Sequence, residues 1–241
     1  MQTSKRPKRG YTDPEVYAHL HPLQDYLKEG LDVVFYGINP GRMSAETGHH
    51  FANPTNHFWH CLHRSGLTST LLPPSEDYSL PDRYNLGLTN IVDRPSTEAA
   101  ELSKSEIKAS IPAFLRKISR HKPRFVCFVG MGIWEVVQST LSRMALSSDT
   151  ADGNKKANRK QKESGLSLQP YKLVHPSQEL SDHTDGIVSE TLIFVVPSTS
   201  GRVVRYQLTD KIAFFAELRA LLHKPDVNTE DMFLIRTETQ D

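Results

Sequence analysis

The chain has 241 residues, of which 37% are hydrophobic, and its 29 basic and 28 acidic residues leave a formal net charge of +1. Domains usually contain about 100–200 residues, so this length allows one large domain or two small ones. No window approaches the ~18 uninterrupted apolar residues of a membrane helix, and no apolar stretch follows the basic N-terminus, so we expect neither membrane anchoring nor secretion. The two cysteines, Cys61 and Cys127, lie in apolar segments, which predicts buried, reduced thiols and excludes a disulfide framework.

Basic charge is concentrated at the N-terminus. Residues 1–13 contain four basic residues, Lys5, Arg6, Lys8 and Arg9. Such a run is typical of a nuclear-import signal, of an arm that binds nucleic acid, or of a solvated terminus. We therefore predict a flexible basic arm over residues 1–13.

Two further segments are too polar to bury a core. Residues 147–165 contain no apolar residue except alanine, so they predict a disordered surface insertion. Residues 225–241 are acidic and predict a flexible tail, although the apolar centre of 230–235 could instead add a strand to a partner. Residues 14–224 then remain as a single domain.

Apolar runs alternate with helical patterns along the body of the chain. Strands are predicted at 31–38, 124–130 and 191–197, with a fourth near 166–174 or 86–91. Helices are predicted at 56–66, with Asn56 as the N-cap, at 103–120, where Ser103 and Glu106 form a capping box, and at 133–146 and 209–222. This alternation predicts an α/β fold, a three-layer sandwich with a central, mainly parallel sheet of about four strands and helices on both faces.

Ligands of parallel α/β sheets bind beyond the carboxyl ends of the strands. The turn sequence GINPG follows the first predicted strand, and VPSTSGR follows the last. Both turns are rich in small or polar residues, which let a ligand approach the backbone closely. We therefore expect the functional site at this edge of the sheet.

Five motifs occur in a characteristic order, namely GINPG (37–41), GHHF (48–51), NHFW (56–59), LTN (88–90) and PSTSGR (197–202). In order and spacing they closely resemble the mismatch-specific uracil/thymine-DNA glycosylases, which belong to the uracil-DNA glycosylase superfamily. The resemblance covers about residues 31–223. It implies a monofunctional glycosylase without a cofactor that removes uracil, or another deaminated or damaged base, mispaired with guanine in double-stranded DNA. It further implies base flipping, an abasic product, a nuclear location and a monomer.

The resemblance also assigns roles around the base. Asn39 matches the catalytic asparagine that orients the attacking water. The main-chain amides around Gly37 and Ile38 would face the pyrimidine, Phe51 would stack on it and Asn90 would bind its edge. His50, next to Phe51, would line the same pocket.

The last motif implies contacts with the DNA backbone. Ser198 and Ser200 match serines that hold phosphates, and Arg202 matches the residue that fills the gap left by the flipped nucleotide. Gly201 departs from the alanine or larger residue common at its position, which predicts a looser loop. Ser44 stands where thymine-excising members carry alanine, so it predicts a narrower pocket that disfavours thymine.

Other functions are open from the residues alone. His57 and Cys61, four residues apart on a helix, could suggest zinc, but no carboxylate or second cysteine joins them, so we predict no metal. A non-catalytic mismatch-binding protein could use the same fold. An unrelated nucleotide-binding protein is disfavoured because no glycine-rich phosphate motif follows a strand.

Overall fold

The computed structural model describes residues 10–151, 165–175, 188–224 and 227–236. A six-stranded sheet forms its centre, in the order β2-β1-β3-β5-β4-β6. The strands are β1 (Val33–Gly37), β2 (Leu86–Asn90), β3 (Phe125–Val129), β4 (Ser167–Val174), β5 (Glu190–Val196) and β6 (Phe233–Arg236). Neighbouring strands are parallel except β4 and β5, which are antiparallel.

Helices cover both faces of this sheet. They are α1 (Arg42–Thr47), α2 (Phe58–Arg64), α3 (Leu80–Tyr84), α4 (Lys104–His121), α5 (Met131–Ala151) and α6 (Leu208–Leu222), with short 3-10 helices at Pro14–Tyr17, Pro74–Ser79 and Ala99–Glu101. The predicted α/β sandwich is confirmed. Its sheet has more strands than expected, since both candidate fourth strands form and the C-terminal segment adds another.

The period of two along each strand divides the core into two layers. In β1, Val34 and Tyr36 pack with the buried faces of α4 and α5, whereas Val33 and Phe35 pack with those of α2 and α6. Every residue of β1 is buried, as expected for a strand with helices on both sides. The two layers of the core therefore lie on opposite faces of one sheet.

The predicted helix starts are largely correct. Ser103 Oγ accepts from the amide of Glu106 at 3.1 Å, and Glu106 Oε2 accepts from the amide of Ser103 at 2.8 Å, which confirms the capping box of α4. Helix α2 begins at Phe58, with His57 rather than Asn56 at the N-cap. Asn56 still stabilises this start, because its Oδ1 accepts from the amide of Phe58 at 3.0 Å.

The C-terminal segment differs from the prediction of a flexible tail. Within 225–241, strand β6 pairs in parallel with β4 of the same chain. Ile235 is buried in the core, and the ring of Phe233 lies 5.3 Å from that of Tyr171. The apolar residues that could instead have added a strand to a partner thus form an edge strand of the chain's own sheet, and the prediction of a flexible tail is wrong for residues 233–236.

The other two polar segments lie largely outside the described residues. Helix α5 continues to Ala151, so the first residues of the predicted insertion at 147–165 are helical rather than disordered. The rest of that insertion, through residue 164, is outside the described ranges, as are Lys5, Arg6, Lys8 and Arg9 of the basic arm. Among the helices of the described segments, none is long and apolar enough to cross a lipid bilayer.

Candidate active site

A cleft of about 740 Å³ opens at the carboxyl ends of the central strands. The loops after β1, β2 and β5 form its walls. It is lined by every site residue that the motifs predicted within the described chain: Gly37, Ile38, Asn39, Ser44, His50, Phe51, Asn90, Ser198, Ser200, Gly201 and Arg202. Residues far apart in sequence therefore converge, as expected for parallel strands that end at one edge.

The register of β1 and β2 brings the two asparagines into the same cleft. Gly37 is the partner of Asn90 in the parallel ladder, so Asn90 lies beside the end of β1. Asn39 follows Gly37 by two residues, in the turn that leaves the strand. Asn39 thus lines the cleft from the loop after β1, and Asn90 lines it from the end of β2.

The side chain of Asn39 is held in one orientation. Its Nδ2 donates to the carbonyl oxygen of Arg94 and to Oγ of Ser96, each at 2.8 Å. These bonds use both amide hydrogens, so the oxygen Oδ1 is the group left for the cleft. Within the described chain Oδ1 is neither hydrogen-bonded nor buried, and it is available to accept from water.

Ser96 is a site residue that the motifs missed. It is 1% exposed, and its Oγ accepts from Asn39 while donating to the carbonyl of Glu98 at 2.9 Å. Its amide donates to the carbonyl of Pro40 at 3.1 Å, so the loop after β2 is bonded to the loop after β1. The motif ending at Asn90 stopped short of this serine.

Asn90 lies directly against Gly37. A Cβ at position 37 would collide with Oδ1 of Asn90, so a larger residue there would displace the Asn90 side chain. Asn90 is 8% exposed, and its side-chain amide makes no hydrogen bond within the described residues, although its atoms are not closed off from the cleft. The amide is therefore available to bond to water or to a polar ligand in the cleft.

The backbone after β1 is bonded to the backbone after β2. The carbonyl oxygens of Gly37 and Ile38 accept from the amides of Ile91 and Val92 at 3.0 and 2.9 Å. These bonds fix the end of β1 beside Asn90.

Phe51 supplies an aromatic wall. Its ring is stacked on Phe58 at a centroid distance of 3.9 Å and an interplanar angle of 16°. The ring is only partly buried and lines the cleft, so its other face can receive a planar ligand. A Cβ built on Gly37 would lie 3.6 Å from Phe51 Cζ, which places the ring close to Asn90 as well.

Phe51 adopts a strained backbone with a φ of 53°, a conformation that is rare for a bulky residue. Such strain, on the order of 1–3 kcal/mol, persists only where the surroundings enforce it. The amide of Ala52 donates to Ser44 Oγ at 3.1 Å, and Trp59 Nε1 donates to the carbonyl of His50 at 3.2 Å. Hydrogen bonds on both sides thus hold the strained turn.

Asp77 is a second residue that sequence reasoning missed. Its carboxylate is 0% exposed, accepts from the amide of His50 at 2.8 Å and lies 3.1 Å from Nδ1 of His49. Burial, together with this carboxylate, also raises the pKa of Tyr26. No sequence signal links Asp77 to a turn 27 residues away, since the contact depends on tertiary packing.

His50 is a neutral wall residue. It is 1% exposed, and its Nε2 lies 2.8 Å from the carbonyl of Gln24, which requires a proton on Nε2. Burial lowers the pKa of this imidazole, an effect that the Gln24 carbonyl and the Asp77 carboxylate only partly oppose. His50 can therefore shape the pocket, but it supplies no cation near neutral pH.

Ser44 lines the cleft from α1, as the motif predicted, but its hydroxyl has a structural partner. Oγ is the acceptor for the amide of Ala52, directly after the strained Phe51. The side chain is 6% exposed. Ser44 thus positions the aromatic wall in addition to occupying space in the pocket.

The serines of the loop after β5 form a chain of contacts. Ser198 Oγ accepts from the amide of Ser200 at 3.4 Å, and Ser200 Oγ accepts from the amide of Arg202 at 3.3 Å. Because each hydroxyl acts as an acceptor here, its own proton remains available for donation. The loop therefore presents hydroxyl donors to the cleft.

Gly201 has a packing role in this loop. A Cβ at this position would lie 2.5 Å from the carbonyl oxygen of Thr55 and 2.8 Å from its Cβ. The glycine therefore permits close packing between the loop after β5 and the segment before α2. The amide of His57 reinforces that contact by donating to the carbonyl of Thr199 at 2.9 Å.

Two acidic side chains line the cleft, and both are in ion pairs. Glu46 accepts from Arg42 at 2.8 Å within α1. Glu98 accepts from the guanidinium of Arg202 at 2.9 Å. Neither carboxylate is therefore placed as an unpaired general base.

The histidines around α2 do not gather into a metal site. Nδ1 of His57 is occupied by the ammonium of Lys211 at 3.3 Å, and burial raises the pKa of Cys61 to about 12, which keeps its thiol protonated. In the described segments, no three histidine, cysteine, aspartate or glutamate side chains come together in a way that could hold a metal ion.

A family model and a solved structure each match most of this chain. A family model for the uracil DNA glycosylase superfamily matches residues 24–223. Among solved structures, the chain is similar to the solution NMR structure of a Methanosarcina acetivorans protein provisionally assigned as a uracil DNA glycosylase. The two are 15% identical, with a TM-score of 0.45, over 83% of this chain and 98% of that one. The matched range contains every residue that lines the cleft except Leu23.

Proposed function

The chain belongs to the uracil DNA glycosylase superfamily, and we propose that it is a monofunctional enzyme that removes uracil mispaired with guanine from double-stranded DNA. Superfamily membership makes it a hydrolase of N-glycosidic bonds in DNA. The mismatch context, the preferred base and the residue roles are our proposal. Because the bond is unreachable inside a duplex, the target nucleotide must first be flipped into the cleft.

One observation carries the proposal. Asn39 and Asn90 present an unpaired amide oxygen and an unpaired amide to the same cleft, next to the ring of Phe51. A flipped pyrimidine needs these three things: a stacking surface, an amide for its edge and an acceptor that orients water. Asn39 follows β1, Phe51 lies between α1 and α2, and Asn90 is the last residue of β2.

The groups that line the cleft determine the order of bond cleavage and water attack. The oxygen of Asn39 orients water, but an amide is too weak a base to remove a proton before the bond breaks. The two carboxylates of the described cleft wall are held by Arg42 and Arg202. Cleavage of the N-glycosidic bond therefore runs ahead of water attack, through an oxocarbenium-like sugar and a departing base anion.

The departing base is stabilised by donors. Backbone amides near Gly37 and Ile38 and the side chain of Asn90 face the carbonyl oxygens of the base, where negative charge develops. Phe51 stacks on the ring and keeps it in the plane that these donors require. Because the donors are fixed before the reaction, they cost no reorganisation when the bond breaks.

The loop after β5 holds the DNA. Ser198 and Ser200 donate to phosphates beside the flipped nucleotide, and Arg202 enters the space that the nucleotide leaves. The basic residues of the arm, Lys5, Arg6, Lys8 and Arg9, add nonspecific affinity or direct import into the nucleus. The chain acts as a monomer in this proposal.

Uracil is the preferred base because Ser44 narrows the pocket wall. Thymine differs from uracil by one methyl group at C5, and a pocket discriminates such a group by about 1–3 kcal/mol. Thymine and other deaminated bases are therefore secondary substrates.

The enzyme is monofunctional because no lysine is among the residues that line the described cleft. Lyase chemistry through a Schiff base requires an amine that reaches the sugar. The product is then an intact strand with an abasic site.

The test is base release from duplexes with one dU or dT opposite dG, or dU opposite dA, followed by hot alkali to cut at abasic sites. We expect alkali-dependent cleavage, fastest for dU opposite dG and absent for Asn39→Ala. Cleavage without alkali would contradict the monofunctional assignment. Tight binding of the mismatch with no alkali-labile product would favour the alternative, a non-catalytic mismatch-binding protein.

A further inference from the structure

A lysine is buried behind the serine loop. Lys211, in the first turn of α6, is 0% exposed. Its ammonium donates to the carbonyl oxygen of Ser200 at 3.2 Å and lies 3.3 Å from Nδ1 of His57. Burial lowers the pKa of this amine.

No acid neutralises Lys211 among the described residues. Both of its contacts are uncharged, and no carboxylate of the described chain lies within ion-pair distance. The nearby Cys61 thiol is no counter-ion, since burial raises its pKa to about 12. Buried ammonium groups are normally paired, because an isolated buried charge is strongly destabilising.

The ammonium of Lys211 lies against the loop that carries the cleft serines. The carbonyl that Lys211 contacts belongs to Ser200, whose hydroxyl faces the cleft as a donor. The other contact of Lys211, His57, is bonded to the same loop, because the amide of His57 donates to the carbonyl of Thr199. Lys211 does not line the cleft itself, but both of its contacts belong to or hold the loop from Ser198 to Ser200, which does.

We propose that Lys211 is the buried cation of a phosphate subsite, and that a DNA phosphate seated on the hydroxyls of Ser198 and Ser200 is the anion that neutralises it. This inference rests on the proposed function. Lys211 is a positioning residue, since it acts through the loop and does not touch the reacting atoms. The site is built in advance: the serines select the phosphate by hydrogen bonds, and the lysine supplies the charge that the loop lacks.

A purely structural role would predict different behaviour. If Lys211 only linked Ser200 to His57 by hydrogen bonds, its replacement would weaken binding to every DNA duplex by the same factor. That factor would not depend on whether any one phosphate is charged. A charge partnership instead couples Lys211 to one particular phosphate. A double-mutant cycle, in which the charge of Lys211 and the charge of one phosphate are removed separately and together, distinguishes these cases.

The experiment measures affinity for a duplex that contains 2′-fluorodeoxyuridine opposite guanine, which resists cleavage. Each phosphate flanking that nucleotide is replaced in turn by a neutral methylphosphonate. The variants are Lys211→Met and, as a control, Lys224→Met. Lys224 is exposed beyond the far end of α6, about 20 Å away along the helix axis.

We expect wild-type protein to lose about 10- to 100-fold in affinity when one phosphate is neutralised. Lys211→Met should already have lost about that factor and should lose less than twofold more at the same position. Lys224→Met should respond to each methylphosphonate as wild type does. If Lys211→Met loses the wild-type factor at every phosphate, or binds the unmodified duplex as wild type does, the proposal is overturned.

A second measurement, made on wild-type protein, tests the proposal even if Lys211→Met does not fold. In wild-type protein with ¹⁵N-labelled lysines, the amine pKa of Lys211 should rise when the unmodified duplex binds. It should rise less with the methylphosphonate at the sensitive position. Equal behaviour with both duplexes would overturn the proposal, whereas a protein that neither binds DNA nor releases any base would overturn the proposed function itself.

Discussion

Arg202 and Glu98 meet in an ion pair of 2.9 Å that joins the loop after β5 to the loop after β2. Both residues line the cleft, and the side chain of Arg202 is 61% exposed. In the proposed function, Arg202 must leave Glu98 before it can enter DNA. The free protein therefore holds this arginine at the rim of the cleft by a contact that DNA has to replace.

Glu98→Gln should tighten binding to abasic-site DNA about two- to fivefold. An exposed ion pair is worth about 0.2–1 kcal/mol, and the variant removes that competitor for Arg202. The control is Glu46→Gln, which removes the same charge and frees Arg42 at the same cleft. Affinities measured by fluorescence anisotropy at fixed salt should rise more for the first variant. Equal gains would mean that only the lost negative charge matters.

Asn39→Ala should reduce single-turnover release of uracil by at least about 100-fold, because it removes the oxygen that orients water. Binding to abasic-site DNA should remain nearly unchanged, since the phosphate contacts lie on another loop. Wild-type rates in this variant would exclude Asn39 from the mechanism. Ser96→Ala should have a smaller effect, about 5- to 10-fold, because it removes one of the two acceptors that fix the amide.

The basic arm should act through salt-dependent binding. Deleting residues 1–13 should lower the slope of log K against log salt by about 3–4, since each lost phosphate contact contributes about 0.9. Uracil release at saturating enzyme should not change, because none of the described residues in the deleted segment lines the cleft. An unchanged slope would show that Lys5, Arg6, Lys8 and Arg9 do not contact DNA, which would leave import or no role.

Local patterns predicted the strands and the capping box of α4, because an apolar run and the pair Ser103 and Glu106 are features of neighbouring residues. The asparagines of the cleft were predicted from the resemblance of five motifs to a known family. Ser96, Asp77 and Lys211 escaped prediction because their roles are backbone or side-chain contacts made across the fold. For β6 the apolar run indicated a possible strand, but its pairing with β4 of the same chain is also a contact across the fold.

His175 should make stability depend on pH. It is 5% exposed, and burial lowers its pKa to about 4, with a further contribution from Lys122. An unfolded chain binds this proton near pH 6.5, so the stabilisation is complete above that pH and is lost as the pH falls toward 4. The loss is on the order of 1–3 kcal/mol.

The matched variant is His175→Gln. Thr191 Oγ1 donates to the carbonyl of Pro123, so it accepts from Nε2 of His175, and a glutamine amide can replace that donor. Urea unfolding at pH 4.5, 5.5 and 7 should give a smaller decrease in the free energy of unfolding for the variant than for wild type. Parallel decreases would assign the pH dependence to other groups.

Ser44→Ala separates two roles of one hydroxyl. The substitution leaves the amide of Ala52 without its acceptor, which costs about 1–3 kcal/mol and loosens the strained turn at Phe51. The melting temperature should fall, and a loosened aromatic wall slows release of uracil and of thymine by a similar factor.

The smaller side chain also makes room at the pocket wall, which helps thymine alone. The thymine rate relative to the uracil rate should therefore rise, by less than the roughly 10- to 200-fold that a single methyl group can contribute, since His50 remains in the wall. Single-turnover rates on dU and dT opposite dG measure this ratio directly. Ser96→Ala is the control, because it disturbs Asn39 and should slow both reactions equally. A ratio that stays the same in both variants would mean that Ser44 acts only through Ala52 and does not face the base.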